Sequence, residues 1–178
     1  MALTATLRRF EVALSDADRN VYESLELRAA QHPSESERYL VTRVLARLLE
    51  HDEGVDFGKG LSEHDEPALW RRDLRGDALA WIEVGCPAAE RLHRASKLCP
   101  RVAVYGWRLD PLVKELATAT VYRREQLELY AFEQGFLDRI VERLDKVNRW
   151  SLSVSGATLY LEVAGRLIEG AYERLSIP

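Results

Sequence analysis

Glu83 sits where a carboxylate is costly. Trp81 and Ile82 precede it and Val84 follows it, in the run DALAWIEVG at 77–85. A charge inside such a run is expensive to bury without a cation or a hydrogen-bond donor. Two kinds of partner meet that need: a divalent metal, or an arginine of the basic segment AAERLHRASK at 88–97. A metal needs further oxygen donors. Asp77 shares the face of Glu83 on an alternating strand, but it stands roughly 20 Å away at ~3.3 Å per residue. A second carboxylate must therefore come from elsewhere. If the chain folds back at Arg75-Gly76, Asp65 returns to the level of Glu83. Glu35, expected in the first turn of a helix, is a third candidate. Two or three converging carboxylates suit Mg²⁺ or Mn²⁺. Such an ion activates water and stabilises a phosphoryl transition state. Taken singly, Glu35 and Asp65 read more simply as a cap and a surface charge.

The segment after Glu83 can be read by helical angle. At ~100° per residue, Ala88, Leu92, Ala95 and Cys99 form one apolar arc. Arg91 and Arg94 flank it, and Lys97 falls almost opposite. A charge that reaches back to Glu83 should be Arg91 or Arg94, and the pair would then be an internal ion pair without chemistry.

These residues need elements to position them. Residues 2–14 and 21–30 read as two strands joined by the polar cluster SDADRN, a hairpin. His32-Pro33-Ser34-Glu35 reads as a helix start with Ser34 as N-cap. Leu40, Val41, Val44, Leu45, Leu48 and Leu49 then recur at helical spacing, so a helix is expected over 34–51. A short strand is expected within 54–62, and a turn or short helix over 65–70. After the turn at Arg75-Gly76, residues 77–84 form the central strand. A helix over 88–98, ended by Pro100, a strand over 102–107 and a short helix over 111–117 follow. A strand within 120–130 and helical periodicity over 131–147 come next. Strands over 150–154 and 158–163 make a hairpin around Ser155-Gly156. The expected architecture is a mixed α/β domain, with a central mixed sheet flanked by helices and with N- and C-terminal hairpins.

The bulk properties set limits. A chain of 178 residues suggests one domain spanning 1–178, long enough for a real core. An apolar fraction of 47% and a charged fraction of 30% are those of a soluble globular protein. No stretch approaches the ~20 apolar residues of a membrane span, and MALTATLRRF lacks a signal-peptide layout, so a cytoplasmic location is expected. A net charge of −4 makes no general electrostatic case for DNA binding. Arg71, Arg72, Arg75, Arg91, Arg94, Lys97 and Arg101 fall in one stretch, either a local basic surface or a solvated face. Cys86 and Cys99 lack metal-pair spacing and read as structural thiols. The four histidines lack zinc spacing. Gly58-Lys59-Gly60 lacks the Walker spacing and reads as a turn. Trp70, Trp81, Trp107 and Trp150 read as core.

The blocks GLSEHDEPALW at 60–70, WIEVG at 81–85, Pro87 and RLHRAS at 91–96, with the opening MALTATL and HPSE at 32–35 before Arg43, resemble the YaeQ family of bacterial proteins. The likeness runs in order through roughly residues 1–107 and continues more weakly to the C-terminal hairpin. That family is similar in fold to the PD-(D/E)XK nucleases. The resemblance implies a restriction-endonuclease-like core, with Glu35 as the helix acid, Asp65 as the aspartate and Glu83 as the strand carboxylate. Those three would hold Mg²⁺ or Mn²⁺ for phosphodiester cleavage. The lysine of the superfamily's E-x-K falls at Gly85 here. The resemblance implies that its role moves to the next helix, to Arg94, with Lys97 as a substitute that the helical angle places less well. Arginine holds phosphate but stays protonated and is no general base. The alternative is a catalytically idle nuclease-fold protein that binds nucleic acid or a protein partner.

Overall fold

A computed structural model describes residues 4–59, 61 and 63–178. The opening residues 1–3, and Gly60 and Ser62 of the 60–70 block, lie outside the described residues. The architecture is mixed α/β. The chain divides into two compact units, one of Met1–Val41 with Phe132–Tyr172 and one of Thr42–Ala131 with Glu173–Pro178.

In the first unit, β1 (Thr6–Asp16) and β2 (Val21–Gln31) form the expected antiparallel hairpin. β8 (Val147–Ser155) and β9 (Thr158–Val163) form the second, turned at Gly156 with φ 58°. The two hairpins belong to one sheet, because β1 pairs in parallel with β8. β10 (Arg166–Leu175) continues that sheet beside β9. Period-2 alternation puts Phe10, Val12, Leu14, Trp150, Leu152 and Val154 in the core. Phe10 meets Trp150 edge-on at 5.0 Å. Helix α4 (Gln134–Val141) buries Phe136, Leu137 and Ile140.

Helix α1 (Glu37–Leu49) buries the apolar stripe read from its spacing. It begins later than expected, and Ser34 is not its cap. The Glu35 N–H bonds to the His32 carbonyl at 2.8 Å, closing a turn. Ser36 then accepts the Tyr39 N–H at 3.1 Å and supplies the cap. Glu35 therefore precedes the helix instead of lying in its first turn.

In the second unit the strand order is β7-β6-β5-β4-β3. β5 (Ala78–Val84) is the middle strand. β4 (Leu69–Arg72) and β3 (Val55–Phe57) lie antiparallel on one side. β6 (Arg101–Gly106) and β7 (Glu128–Phe132) lie parallel on the other. The parallel pairs are joined by α2 (Ala89–Leu98) and α3 (Asp110–Thr118), as parallel connections require. Leu92 and Ala95 from α2, Cys99 just after it, and Leu112 and Leu116 from α3 pack with Trp81, Val102, Val104 and Leu129 of the sheet. Leu92, Ala95 and Cys99 of the expected arc are buried, while Ala88 is exposed and Ala89 is buried in its place. The turn at Gly76, with φ 89°, returns β4 against β5 as expected.

Candidate functional site

The middle strand of the second unit is buried on both faces, which is why it reads as a nearly unbroken apolar run. Glu83 is 4% exposed on the face it shares with Trp81. The Trp81 indole Nε1 donates to Glu83 Oε1 at 2.5 Å. β5 ends at Val84, and Gly85 follows with a φ of 89° that turns the chain toward α2. That conformation is open to glycine and strained for a side-chain-bearing residue. A lysine at the E-x-K position would not suit this backbone.

Arg91 stands in the first turn of α2 and completes the site. Its Nε donates to Glu83 Oε1 at 2.6 Å. Its Nη2 donates to the Glu66 carbonyl at 2.7 Å, and its Nη1 donates to the His64 carbonyl. The same guanidinium lies 5.5 Å from the centroid of Trp81. One cation thus joins the strand carboxylate to the turn at 63–66. Burial pushes the Glu83 carboxyl above its ordinary range. The Arg91 charge and the two donors oppose this without cancelling it.

The pair Leu69–Ile82 sets the β4–β5 register and puts Ala68 level with Glu83. Asp65 lies three residues further on, in the turn that Arg91 holds, and its side chain is exposed. Glu35 is buried in the first unit, where its Oε2 accepts the His32 N–H at 3.1 Å. Arg94 and Lys97 are exposed on α2. Among the described residues, no three His, Cys, Asp or Glu side chains stand close enough to hold a metal ion. The carbonyls of His64 and Glu66 beside Glu83, oxygens of the kind that suit a divalent ion, accept from the Arg91 guanidinium.

The basic stretch of the sequence is largely consumed internally. Arg71 pairs with Asp52 at 2.6 Å, and Arg72 lies over Trp70 at 4.3 Å. Arg101 anchors a second cluster, which the sequence reading missed. It donates to both oxygens of Glu50, at 2.7 and 2.9 Å, and to both oxygens of Glu128, at 3.0 and 2.8 Å. Tyr105 donates to Glu50 at 2.6 Å and Tyr130 donates to Glu128 at 2.7 Å. The two rings stack at 4.8 Å. Burial raises both tyrosine hydroxyls, and the carboxylates raise them further; Tyr130 is pushed up to about 12. Burial works against the Arg101 charge, but Glu50 and Glu128 outweigh it. Every oxygen of the two carboxylates has a donor, so this cluster ties the starts of β6 and β7 to the end of α1. The available signal was the pair of parallel strands that open on Arg101 and Glu128, each with a tyrosine further along.

Comparison with known proteins places this geometry among relatives. A family model described as YaeQ protein matches residues 1–171. The chain is 29% identical over 174 residues to "Uncharacterized protein YaeQ" of Salmonella typhi, covering 95% of this chain and 94% of that one. It is 39% identical over 110 residues to the protein of the same description in Escherichia coli (strain K12), covering 60% and 59%. Among solved structures it is similar to the YaeQ protein from Xanthomonas axonopodis pv. citri, with a TM-score of 0.88 and 31% identity over 98% of this chain and 100% of that one. It is also similar to the YaeQ protein from Pseudomonas syringae, with a TM-score of 0.84 and 31% identity over 97% and 96%. No helix among the described residues is long and apolar enough to cross a membrane.

Proposed function

The chain belongs to the YaeQ family, and from that premise we propose that it is a nuclease-like frame that binds nucleic acid without cutting it. The frame is the restriction-endonuclease-like core that the ordered motifs imply. The observation that carries the idle reading is the 2.6 Å contact between Arg91 Nε and Glu83 Oε1. It neutralises the carboxylate that a PD-(D/E)XK enzyme would give to its metal. Gly85 adds support, since its backbone disfavours the lysine of E-x-K. Nucleic acid is favoured over a protein partner because Arg94 and Lys97 stand exposed on the helix that directly follows. Cations in such a place hold phosphates.

The test is fluorescence anisotropy with labelled single-stranded DNA, duplex DNA and RNA, in EDTA and in Mg²⁺. Affinity should fall steeply with salt, be indifferent to EDTA, and drop in the variant Arg94→Glu/Lys97→Glu. No binding to any of the three would overturn the nucleic-acid reading and leave a protein partner.

A Mg²⁺- or Mn²⁺-dependent phosphodiesterase is the second reading. Its ligands would be Glu83 and Asp65, both of the second unit, with Arg94 or Lys97 on the phosphate. One observation favours it: both donors converge on Glu83 Oε1, and Oε2 accepts none among the described residues. Calorimetric titration with Mg²⁺ and Mn²⁺, with Glu83→Ala as control, decides between the readings. Binding lost in the variant, together with metal-dependent cleavage, would replace the idle reading.

A further inference from the structure

We propose that Arg91 is the resident cation of an oxygen cage, so that a divalent ion enters only when Arg91 leaves. The proposal rests on the reading of Glu83 as a strand carboxylate, and not on nucleic-acid binding. Three oxygens from two separate parts of the second unit converge on one guanidinium. They are Glu83 Oε1 from β5 and the carbonyls of His64 and Glu66 from the 63–66 turn. A carboxylate with main-chain carbonyls is a donor set that hard divalent cations take. Here the five-donor fork of arginine satisfies it instead. The cage is not merely a salt bridge, because two of its three oxygens belong to backbone carbonyls that would otherwise need water or another donor. The side chain is also held in place from both ends. Its stem rises from the first turn of α2, whose Ala89 N–H is capped by Glu115 at 2.9 Å. Its head lies against the Trp81 ring.

The prediction concerns metal affinity in the full chain. Mn²⁺ is titrated into the wild type, Arg91→Ala and Arg91→Ala/Glu83→Gln, and free Mn²⁺ is read by electron paramagnetic resonance. Arg91→Ala should bind one Mn²⁺ about tenfold or more tighter than the wild type, because a unit positive charge a few ångströms away no longer opposes the ion. The double variant should lose that gain. A melting temperature that rises with Mn²⁺ in Arg91→Ala but not in the double variant would be the second readout. Arg91→Met keeps the stem against Trp81 and serves if the alanine variant folds poorly. If neither folds alone, refolding in Mn²⁺ should recover the protein, and failure to recover it would overturn the proposal. Folded Arg91 variants that bind Mn²⁺ no tighter than the wild type would also overturn it. That result would leave the anisotropy test of nucleic-acid binding untouched, so the two ideas fail separately.

Discussion

Glu115 Oε1 accepts the backbone N–H of Ala89 at 2.9 Å, so the helix that carries Arg91 is capped from the next helix along the chain. The residue at the N-cap position, Ala88, has no side-chain oxygen and makes no cap of its own. A carboxylate from α3 supplies what a local Ser, Thr or Asp would. It also places negative charge at the positive end of the helix. Glu115→Ala should lower stability by about 1 kcal/mol, the usual worth of a cap. Urea denaturation measures this, and an unchanged midpoint would show that water replaces the cap.

Glu83 is buried and Arg91 is half-buried, so removing the arginine leaves a buried carboxylate without its cation and removing the carboxylate leaves the arginine short of an acceptor. Glu83→Ala should destabilise the fold by about 3 kcal/mol near neutral pH. Replacing both residues with leucine should recover part of that loss, since a buried pair is often matched by apolar packing. Chemical denaturation of the three proteins tests the asymmetry. Equal losses in the single and double variants would remove the argument.

The pH dependence of the same residue has a definite sign. Burial, only partly offset by Arg91, raises the folded Glu83 carboxyl above its ordinary value of 4.5. Between 4.5 and that raised value the folded chain binds more protons than the unfolded chain. The stabilisation is fully present below the ordinary value and is lost as pH rises through the raised one. Glu83→Gln has no such proton. Its melting temperature should therefore fall less than that of the wild type as pH climbs above 4.5. Parallel curves for the two proteins would contradict the assignment.

The tyrosine pair makes a prediction at the alkaline end. Tyr130 is pushed from an ordinary 10.0 up to about 12 by burial and then by Glu128. Tyr105 moves the same way, through burial and Glu50. Both hydroxyls donate to carboxylates, so ionising either would set negative charge against negative charge. The contribution of each is complete below 10.0; that of Tyr130 is lost as pH rises toward 12, and that of Tyr105 as pH rises through its own raised value. Ultraviolet titration should show two phenols that ionise late, and Tyr105→Phe and Tyr130→Phe should each remove one. Phenols that all titrate near 10.0 would be inconsistent with this network.

Gly170 marks the closest approach in the first unit. A β-carbon added there would come within 2.1 Å of the Phe136 ring. Phe136 is fully buried and has no room to withdraw. Gly170→Ala should cost about 1–3 kcal/mol by overpacking, and Phe136→Leu should relieve part of it. A thermal melt of the single and double variants measures both effects. A neutral Gly170→Ala would mean that α4 shifts freely along β10.

Much of the fold is legible in the sequence. The strand expected over 2–14 is found at Thr6–Asp16, with Phe10, Val12 and Leu14 buried, and the helical stripe from Leu40 to Leu49 lies where its period puts it. The central place of β5 followed from an apolar run too long for a half-exposed strand. β10 was not legible. RLIEGAYERL mixes charges with a glycine that looks like a strand breaker, and only the Phe136 ring lying over Gly170 explains that glycine. The start of α1 was misplaced because Ser34 and Ser36 are equally good caps in sequence. The Glu35–His32 turn selects the second.

The candidate site divides along the same line. That Glu83 needs a partner, and that Arg91 or Arg94 is placed to supply it, could be read from the chain. Desolvation cost and helical angle are properties of neighbouring residues. That Arg91 takes the role, while also gripping His64 and Glu66, rests on the way β4 folds back beside β5 and brings the 63–66 turn, with its two carbonyls, to α2. The Arg101 cluster is the clearest case. Glu50, Arg101 and Glu128 are far apart in sequence and carry no shared motif. Charge pairing of that kind depends on distance in space, which periodicity and spacing along a chain do not encode.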